Sequence, residues 1–441
     1  MSELLPDQRY FARAVTQFGE KRPVFTSRDI FNSKGVKIIE AGVAVNSGLY
    51  ERLLQHQLDR PLQNSVESPP TVTPQALRDR AAMHLEDFPF FAGMGLDSAG
   101  KALLLECMLR LPLPQPIAFQ LTLARETMPE LYDHLVLSAL VAAWLAMDTK
   151  VSRLHISAAA AAGMLHDLGL LHLDPALQNH RKDLDAAQYR QLFSHPLVSA
   201  LLIEPHPEYG QDVPRGVREH HEFLDGSGYP VGLGGQQISR IGRILALTEL
   251  VLGTFTRGGE APRRRLSVQL RLNSHRYDRA LVEKVMAALQ PHLEQGISVA
   301  MLLKDPVAVL LDIDQALAAW PRNVVQVSGL TAQQRQTLDN IGRQVSQLHR
   351  MLARSGVAPE QLGQLGSDAL HEPLQSDLSL LAREAAWQLA ALARELRRQM
   401  GAYNGRPCPP ELEAWVTRVT ETTAVSTEKS DDAVPAEQLG A

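Results

Sequence analysis

The sequence predicts a mainly α protein with a small β-containing module at its N-terminus and a helical hairpin toward its C-terminus. Three observations predict it. From about residue 75 to 290 the chain is a succession of Ala- and Leu-rich amphipathic segments, and the loops between them hold the Gly and Pro. Convincing strand signals are confined to residues 1–65. Residues 330–400 carry apolar positions at alternating three- and four-residue spacing. At 441 residues the chain exceeds one ordinary core, so two to three domains are expected.

Taken in order, VFTSRDIFNSKGVKIIEAGVAV (24–45) holds two short apolar runs separated by Asn32-Ser33-Lys34-Gly35, a hairpin turn. SGLYERLLQHQ (47–57) follows as a helix, with Ser47 as its expected cap. These elements make residues 1–65 a small β-hairpin-containing module, with no chemistry of its own. The Pro-, Ser- and Thr-rich SVESPPTVTPQ (65–75) reads as a linker, so residues 66–115 are expected to be linker and helix. Segments 76–112, 125–147, 151–170, 185–203, 211–223 and 237–256 each have room for a helix of a bundle. In the C-terminal region, 301–404, Leu338, Ile341, Val345, Leu348 and Leu352 line one helix, and Leu378, Leu381, Ala385, Leu392 and Leu396 another. Joined through SGVAPEQLGQLGS they form a hairpin whose apolar stripes pack within the chain, with a homodimer seam as the alternative. The polar tail, 405–441, reads as disordered.

Composition narrows the function classes. The chain is 45% hydrophobic, 21% charged and 5% aromatic, with a formal net charge of −5 and intermixed signs. That balance argues against a nucleic-acid polymer or a membrane surface as partner, though not against a small phosphorylated ligand. Cys107 and Cys408 lie far apart and support neither a disulfide framework nor a thiolate metal site. The N-terminus lacks the apolar core of a signal peptide, and the longest apolar run, 135–147, is too short to span a bilayer, so a cytoplasmic protein is expected.

The histidines carry the chemistry. His166-Asp167 ends the run ISAAAAAGMLHDLG, a buried helix in which an Asp is costly unless it is paired or bound to a cation. His220-His221 precedes a glycine-rich loop; on a helix the two imidazoles would point about 100° apart and reach different ions of one cluster. Glu130 and His134 share a helix face at i,i+4 and could offer an oxygen and a nitrogen to one ion. His195 opens an apolar helix, and Glu249 is an acid within another. Singly, each is more often a core or surface residue. Together, within one helical stretch, they suit iron, manganese or zinc in a two- or three-metal site.

With these residues the sequence resembles the HD-GYP branch of the HD phosphohydrolases over roughly residues 120–290. The matching motifs are His134, HDLG (166–169), His195-Pro196 and, most specifically, HHEFLDGSGYPVGLGG (220–235). Members are bacterial all-α hydrolases that cleave the second messenger cyclic di-GMP at a two- or three-metal centre. The resemblance implies an HD-type helical bundle at 116–300 and a phosphodiesterase acting on cyclic di-GMP or a related nucleotide through a metal-bridging hydroxide. It implies two or three divalent or mixed-valent ions, iron or manganese foremost. Their ligands would be His134, His166, Asp167, His195, His220, His221 and Glu249, with Glu130 at the place of a third-metal ligand and Asp167 as the catalytic, bridging carboxylate. Gly228, Tyr229, Pro230 and Arg257 are the candidate substrate-binding residues. Tyr229 has three open roles: stacking on the nucleotide, contacting a signalling partner through the GYP loop, or packing within that loop.

The sequence departs from the family pattern in three places. Leu170 stands where a lysine usually follows H-D-x-G, and His172 is the nearest residue that could stand in for it. Glu249 replaces an aspartate. The R-P-Y stretch that usually holds phosphate is missing, leaving Arg257 and the loop arginines Arg263, Arg264 and Arg265. These departures support an alternative in which the chain is a signalling or scaffold protein that binds metal, nucleotide or a partner without turnover.

Overall fold

A computed structural model of the chain describes residues 8–69, 71–92, 94, 96–147, 152–178, 184, 186–256, 261–290, 302–321, 330–354, 372–401 and 409–427. The protein is mainly α, as the apolar periodicity implies, with two two-stranded antiparallel pairs near the N-terminus. It divides into two compact units, Met1–Leu252 and Gly253–Ala441.

The first unit begins with helix α1 (Gln8–Lys21), which buries Phe11, Ala12, Val15 and Phe18 along one face. The predicted hairpin forms between β2 (Ile30–Phe31) and β3 (Lys37–Ile39), and Asn32 Oδ1 closes its turn by accepting from the Lys34 and Val36 amides at 3.0 and 2.9 Å. The helix that follows is capped one residue earlier than expected. Asn46 Oδ1 accepts from Gly48 N at 3.1 Å, a 3-10 turn runs over Ser47–Leu49, and α2 covers Tyr50–Leu54.

The stretch read as a linker is part of the core. Its strand β4 (Val66–Glu67) pairs with β1 (Phe25–Thr26), and Val66, Ser68 and Val72 are buried. Val72 N donates to Thr122 Oγ1 at 2.7 Å, and Gln115 Nε2 donates to Val66 O at 2.6 Å. Pro69 lies past the end of the β1–β4 ladder, where its missing N–H costs no pairing, and Pro74 opens the next helix.

Two helices, α3 (Pro74–Asp87) and α4 (Ser98–Leu109), replace the single predicted segment 76–112. Behind them lie α5 (Gln115–Thr127), α6 (Pro129–Ala146) and α7 (Arg153–Leu165). Helix α6 is buried on nearly every side, which makes it the central helix of the unit. Helix α7 and its 3-10 continuation, Arg153–His172, form the single described stretch apolar and long enough to cross a bilayer; being 78% buried, it is a core helix. A break at residues 193–194 divides the predicted 185–203 helix into α8 (Ala186–Leu192) and α9 (His195–Ile203). Helices α10 (Asp212–Arg218) and α11 (Arg240–Thr256) follow, and the boundary between the two units falls within α11.

The second unit contains α12 (Pro262–Leu272), α13 (Arg279–Leu289), α14 (Pro306–Ala318), α15 (Ala332–Arg354), α16 (Glu372–Gly401) and α17 (Pro410–Thr427). Both predicted apolar stripes are buried in a single core with Leu310, Ile313 and Leu317 of α14. The connection SGVAPEQLGQLGS lies outside the described residues. The expectation of a disordered tail needs correction. Leu412, Trp415, Val416 and Val419 recur at helical spacing in α17 and are buried in that core, and Trp415 Nε1 donates to Ala316 O at 2.9 Å. Residues 428–441 lie outside the described residues.

His172 does not stand in for a phosphate-binding lysine. Its ring stacks on Phe11 of α1 (centroids 4.2 Å apart, planes 3° apart), and its Nε2 donates to Gln120 Oε1 at 3.0 Å. Burial lowers its pKa to about 3. The folded state therefore resists a proton that the unfolded chain accepts near pH 6.5, so stability is full above that pH and falls as pH drops toward 3. The slope is about 1.4 kcal/mol per pH unit for one proton. Urea unfolding at pH 7 and pH 5 is expected to show about 2 kcal/mol less acid sensitivity in His172→Phe than in the wild type. Equal sensitivity in the two proteins would remove this assignment.

Candidate metal centre

Five of the candidate ligands sit at the end of, or within, a helix of the first unit. His134 is on α6 and Glu249 on α11; His166 ends α7, Asp167 begins the 3-10 turn Leu168–His172, and His195 opens α9. His220 and His221 follow the last turn of α10 instead of lying on a helix, because α10 ends at Arg218. Burial is nearly complete for His166, Asp167, His195, His220 and His221.

The close approach of α7 to α6 is set by Gly163. A Cβ at that position would lie 2.5 Å from Ser138 O, so only glycine lets the helices meet there. The same residue's carbonyl accepts from His166 Nδ1 at 2.9 Å. Two further rings are held in the same way: His195 Nδ1 donates to Leu192 O at 2.7 Å and His220 Nδ1 to Val217 O at 2.6 Å. A carbonyl can only accept, so in all three the Nδ1 carries the hydrogen and Nε2 presents its lone pair when the ring is neutral.

These Nε2 atoms converge. His134 and His166 approach to 3.3 Å, and His195 lies 3.2 Å from His220 and 3.1 Å from His221. Among the described residues, two groups could hold an ion: His134, His166 and Asp167, and His195, His220 and His221. Asp167 joins them. Its Oδ2 lies 3.3 Å from His166 Nε2 and 3.7 Å from His134 Nε2, while its Oδ1 lies 3.2 Å from His195 Nε2 and 3.5 Å from His220 Nε2. Glu249 Oε1 completes the first group, 3.4 Å from His134 Nε2 and 3.2 Å from His166 Nε2.

The electrostatics match a cation site. Burial alone would raise the Asp167 carboxyl, but His166 and His195 outweigh it and hold it well below the usual carboxylate range; His134 and His166 do the same for Glu249. Burial, reinforced by neighbouring imidazoles, pushes His221 well below its ordinary value and lowers His220 as well. A proton is therefore disfavoured on His220 and His221. Asp167 Oδ1 is buried and accepts no hydrogen bond. Convergent nitrogen lone pairs around such an oxygen fit first-row transition ions, which accept imidazole and carboxylate ligands together.

The remaining candidates divide. Glu130 is exposed in the first turn of α6, outside both groups, where an acid favours the helix N-terminus. Leu170 is buried in the 3-10 turn and brings no charge. Arg257 lies outside the described residues. Gly228 packs so tightly that a Cβ there would meet His221 O at 2.3 Å. Tyr229 is buried with rings on both sides, so it is a packed residue of the loop and not a free platform for a base.

Several supporting residues escaped the sequence reading. Glu222 is buried, and its carboxylate accepts from the amides of Val231, Gly232 and Leu233 at 2.7, 3.1 and 2.8 Å, tying the GYP loop to the histidine segment. Ser199 Oγ accepts from Gly169 N at 2.8 Å, fixing α9 to the turn that follows Asp167. Asp133 receives Arg80 Nε and Nη2 at 2.7 and 2.5 Å, bracing the start of α6 beside His134. An acid directly after H-H was the available signal for Glu222; the other two become visible only once distant helices meet.

With this geometry established, comparison with known proteins identifies the scaffold. Residues 118–281 match the family model for the HD domain. The chain carries an HD domain. It is similar to two 3'3'-cGAMP-specific phosphodiesterases of Vibrio cholerae, at 32% and 34% identity over 89 residues. It is also similar to a cyclic di-GMP phosphodiesterase of Pseudomonas aeruginosa, at 30% identity over 92 residues. The matched stretches cover 20–21% of this chain and 19–22% of those proteins, so the chain spans about a fifth of the curated relatives it matches. No solved structure gives a significant match. The HD match and these relatives bear out the HD-GYP resemblance read from the motifs.

Two outcomes follow. Gly163→Ala is expected to force α6 and α7 apart, costing about 1–3 kcal/mol in urea unfolding and lowering bound metal in elemental analysis. Chelation of the purified protein is expected to lower its melting temperature, with recovery on adding back iron or manganese, because an ion bound only by the folded state stabilises it by mass action. A melting temperature indifferent to chelator and metal would contradict the centre.

Proposed function

We propose that the protein is a metal-dependent phosphodiesterase that opens cyclic di-GMP, with 3'3'-cGAMP as the competing substrate. One observation carries this reading: two buried histidine groups converge on opposite oxygens of a single carboxylate, Asp167. His134, His166, Asp167 and Glu249 would hold one ion, and Asp167, His195, His220 and His221 a second. When bound, such ions supply a water acidic enough to attack phosphorus at neutral pH and neutralise charge on the phosphate oxygens.

The protein's own groups prepare the site for that chemistry. Carbonyl bonds to the Nδ1 atoms of His166, His195 and His220 keep their Nε2 lone pairs aimed inward. Asp167 stays ionised although it is buried. The centre is closed at His166 and His195, whose side chains are fully buried, and opens where the His134 and Glu249 side chains are 26% and 13% exposed. We assign the approach of the phosphodiester to that side. The protein would act in the cytoplasm, where cyclic dinucleotide signals are found.

A second reading, a signalling scaffold that binds metal or nucleotide without turnover, is favoured by Leu170, a buried apolar side chain where the family places a cation. Its partner would meet the GYP loop, where Val231 is 68% exposed. Hydrolysis assays decide between the two. Protein loaded with iron or manganese is expected to linearise cyclic di-GMP, and Asp167→Asn to lower turnover by at least about 100-fold with the fold intact. Metal-loaded wild type that leaves both cyclic dinucleotides uncut would establish the scaffold reading instead.

A further inference from the structure

Three of the candidate ligand histidines have their rings fixed by a carbonyl three residues earlier: His166 by Gly163, His195 by Leu192 and His220 by Val217. His221 is fixed differently. Among the described residues its ring forms one polar contact, Nε2 to His195 Nε2 at 3.1 Å, and no carbonyl holds its Nδ1. Its orientation comes from stacking. Tyr229 lies against the His221 ring with centroids 4.6 Å apart and planes 20° apart, and Phe193 lies against Tyr229 at 4.3 Å and 27°.

The column is anchored at both ends of the loop that supplies it. Tyr229 N donates to His221 O at 3.1 Å, which places the Tyr ring over the residue whose backbone it holds. Phe193 precedes His195 by two residues and is itself held by its amide bond to Tyr189 O at 2.8 Å. One aromatic stack thus links the segment before His195 to the ring of His221, and both histidines belong to the same three-histidine group. Tyr229 also meets the His195 ring edge-on at 6.3 Å.

We infer that Tyr229 and Phe193 are positioning residues that aim the His221 Nε2 at the ion held with His195 and His220. The inference rests on the metal-centre reading above and not on any particular substrate. It gives the tyrosine of the GYP motif a task inside the protein: a flat ring fixes an imidazole by van der Waals contact and offset stacking where no hydrogen bond does so. Stacking belongs to the ring, so phenylalanine at position 229 would serve and a branched aliphatic residue would not.

The test is cobalt(II) binding to the full chain, read as stoichiometry, affinity and visible absorption bands, with circular dichroism to establish folding. Tyr229→Leu is expected to weaken the ion of the three-histidine group about 10-fold and to shift its bands, while Tyr229→Phe matches the wild type. Phe193→Leu is expected to change affinity and bands in the same direction, because it removes support from the far face of Tyr229. A folded Tyr229→Leu with wild-type affinity and bands would overturn the inference. If that variant does not fold, Phe193→Leu decides on the same readouts, and wild-type values there overturn it. Wild type that binds cobalt but cleaves no cyclic dinucleotide removes the proposed activity and leaves this inference standing. Wild type that takes up no cobalt removes the metal centre and the inference with it.

Discussion

Lone pairs that face one another need a cation between them. In this protein the Nε2 atoms of His134, His166, His195 and His220 lie 3.2–3.7 Å from the oxygens of Asp167, and that of His221 lies 3.1 Å from His195 Nε2. Neutral imidazoles in that arrangement repel, and a proton is disfavoured at His220 and His221. A bound ion turns the repulsion into coordination. Many of the unusual packing choices nearby serve this convergence: the missing Cβ at Gly163, the Ser199 bond to the turn after Asp167, and the Arg80 brace behind His134.

The loop after His221 solves a second problem, that of holding an irregular segment against a metal site. Its backbone N–H groups would be costly to bury unpaired. Glu222 satisfies three of them with one carboxylate, and Asp225 accepts from the amide of Ser227 at 3.0 Å. Burial raises the Glu222 carboxyl although those three amides oppose the shift. Internal polar closure of this kind explains why a glycine-rich loop here is ordered, with Gly228 allowing its backbone to touch His221.

The N-terminal module is joined to this machinery through α1. Phe11 stacks on His172, five residues after Asp167, and Tyr10 donates to Asp174 Oδ2 at 3.3 Å. His172, two residues after Leu170, is thus given to packing against the N-terminal module, which is a physical reason why it takes no polar role at the centre. In the second unit the apolar stripes of α15 and α16 are covered by α14 and α17 of the same chain, so those stripes need no partner to be buried.

The sequence by itself determined the helical class, the hairpin turn at Asn32–Gly35 and the identity of most candidate ligands, because each of these is written in local residue order: apolar spacing, turn chemistry, or histidines placed beside an acid or another histidine in an apolar stretch. The helix of residues 410–427 was legible too, in Leu412, Trp415, Val416 and Val419, but its polar flanks masked a short stripe. Only the tertiary structure decided that Asp167 faces two histidine groups at once, that Glu130 stands apart while Glu249 joins, and that Tyr229 is packed between rings. Those facts depend on distances between segments tens of residues apart. Close helix packing across Gly163 and backbone bonds to Nδ1 set them, and neither has a periodic signature along the chain.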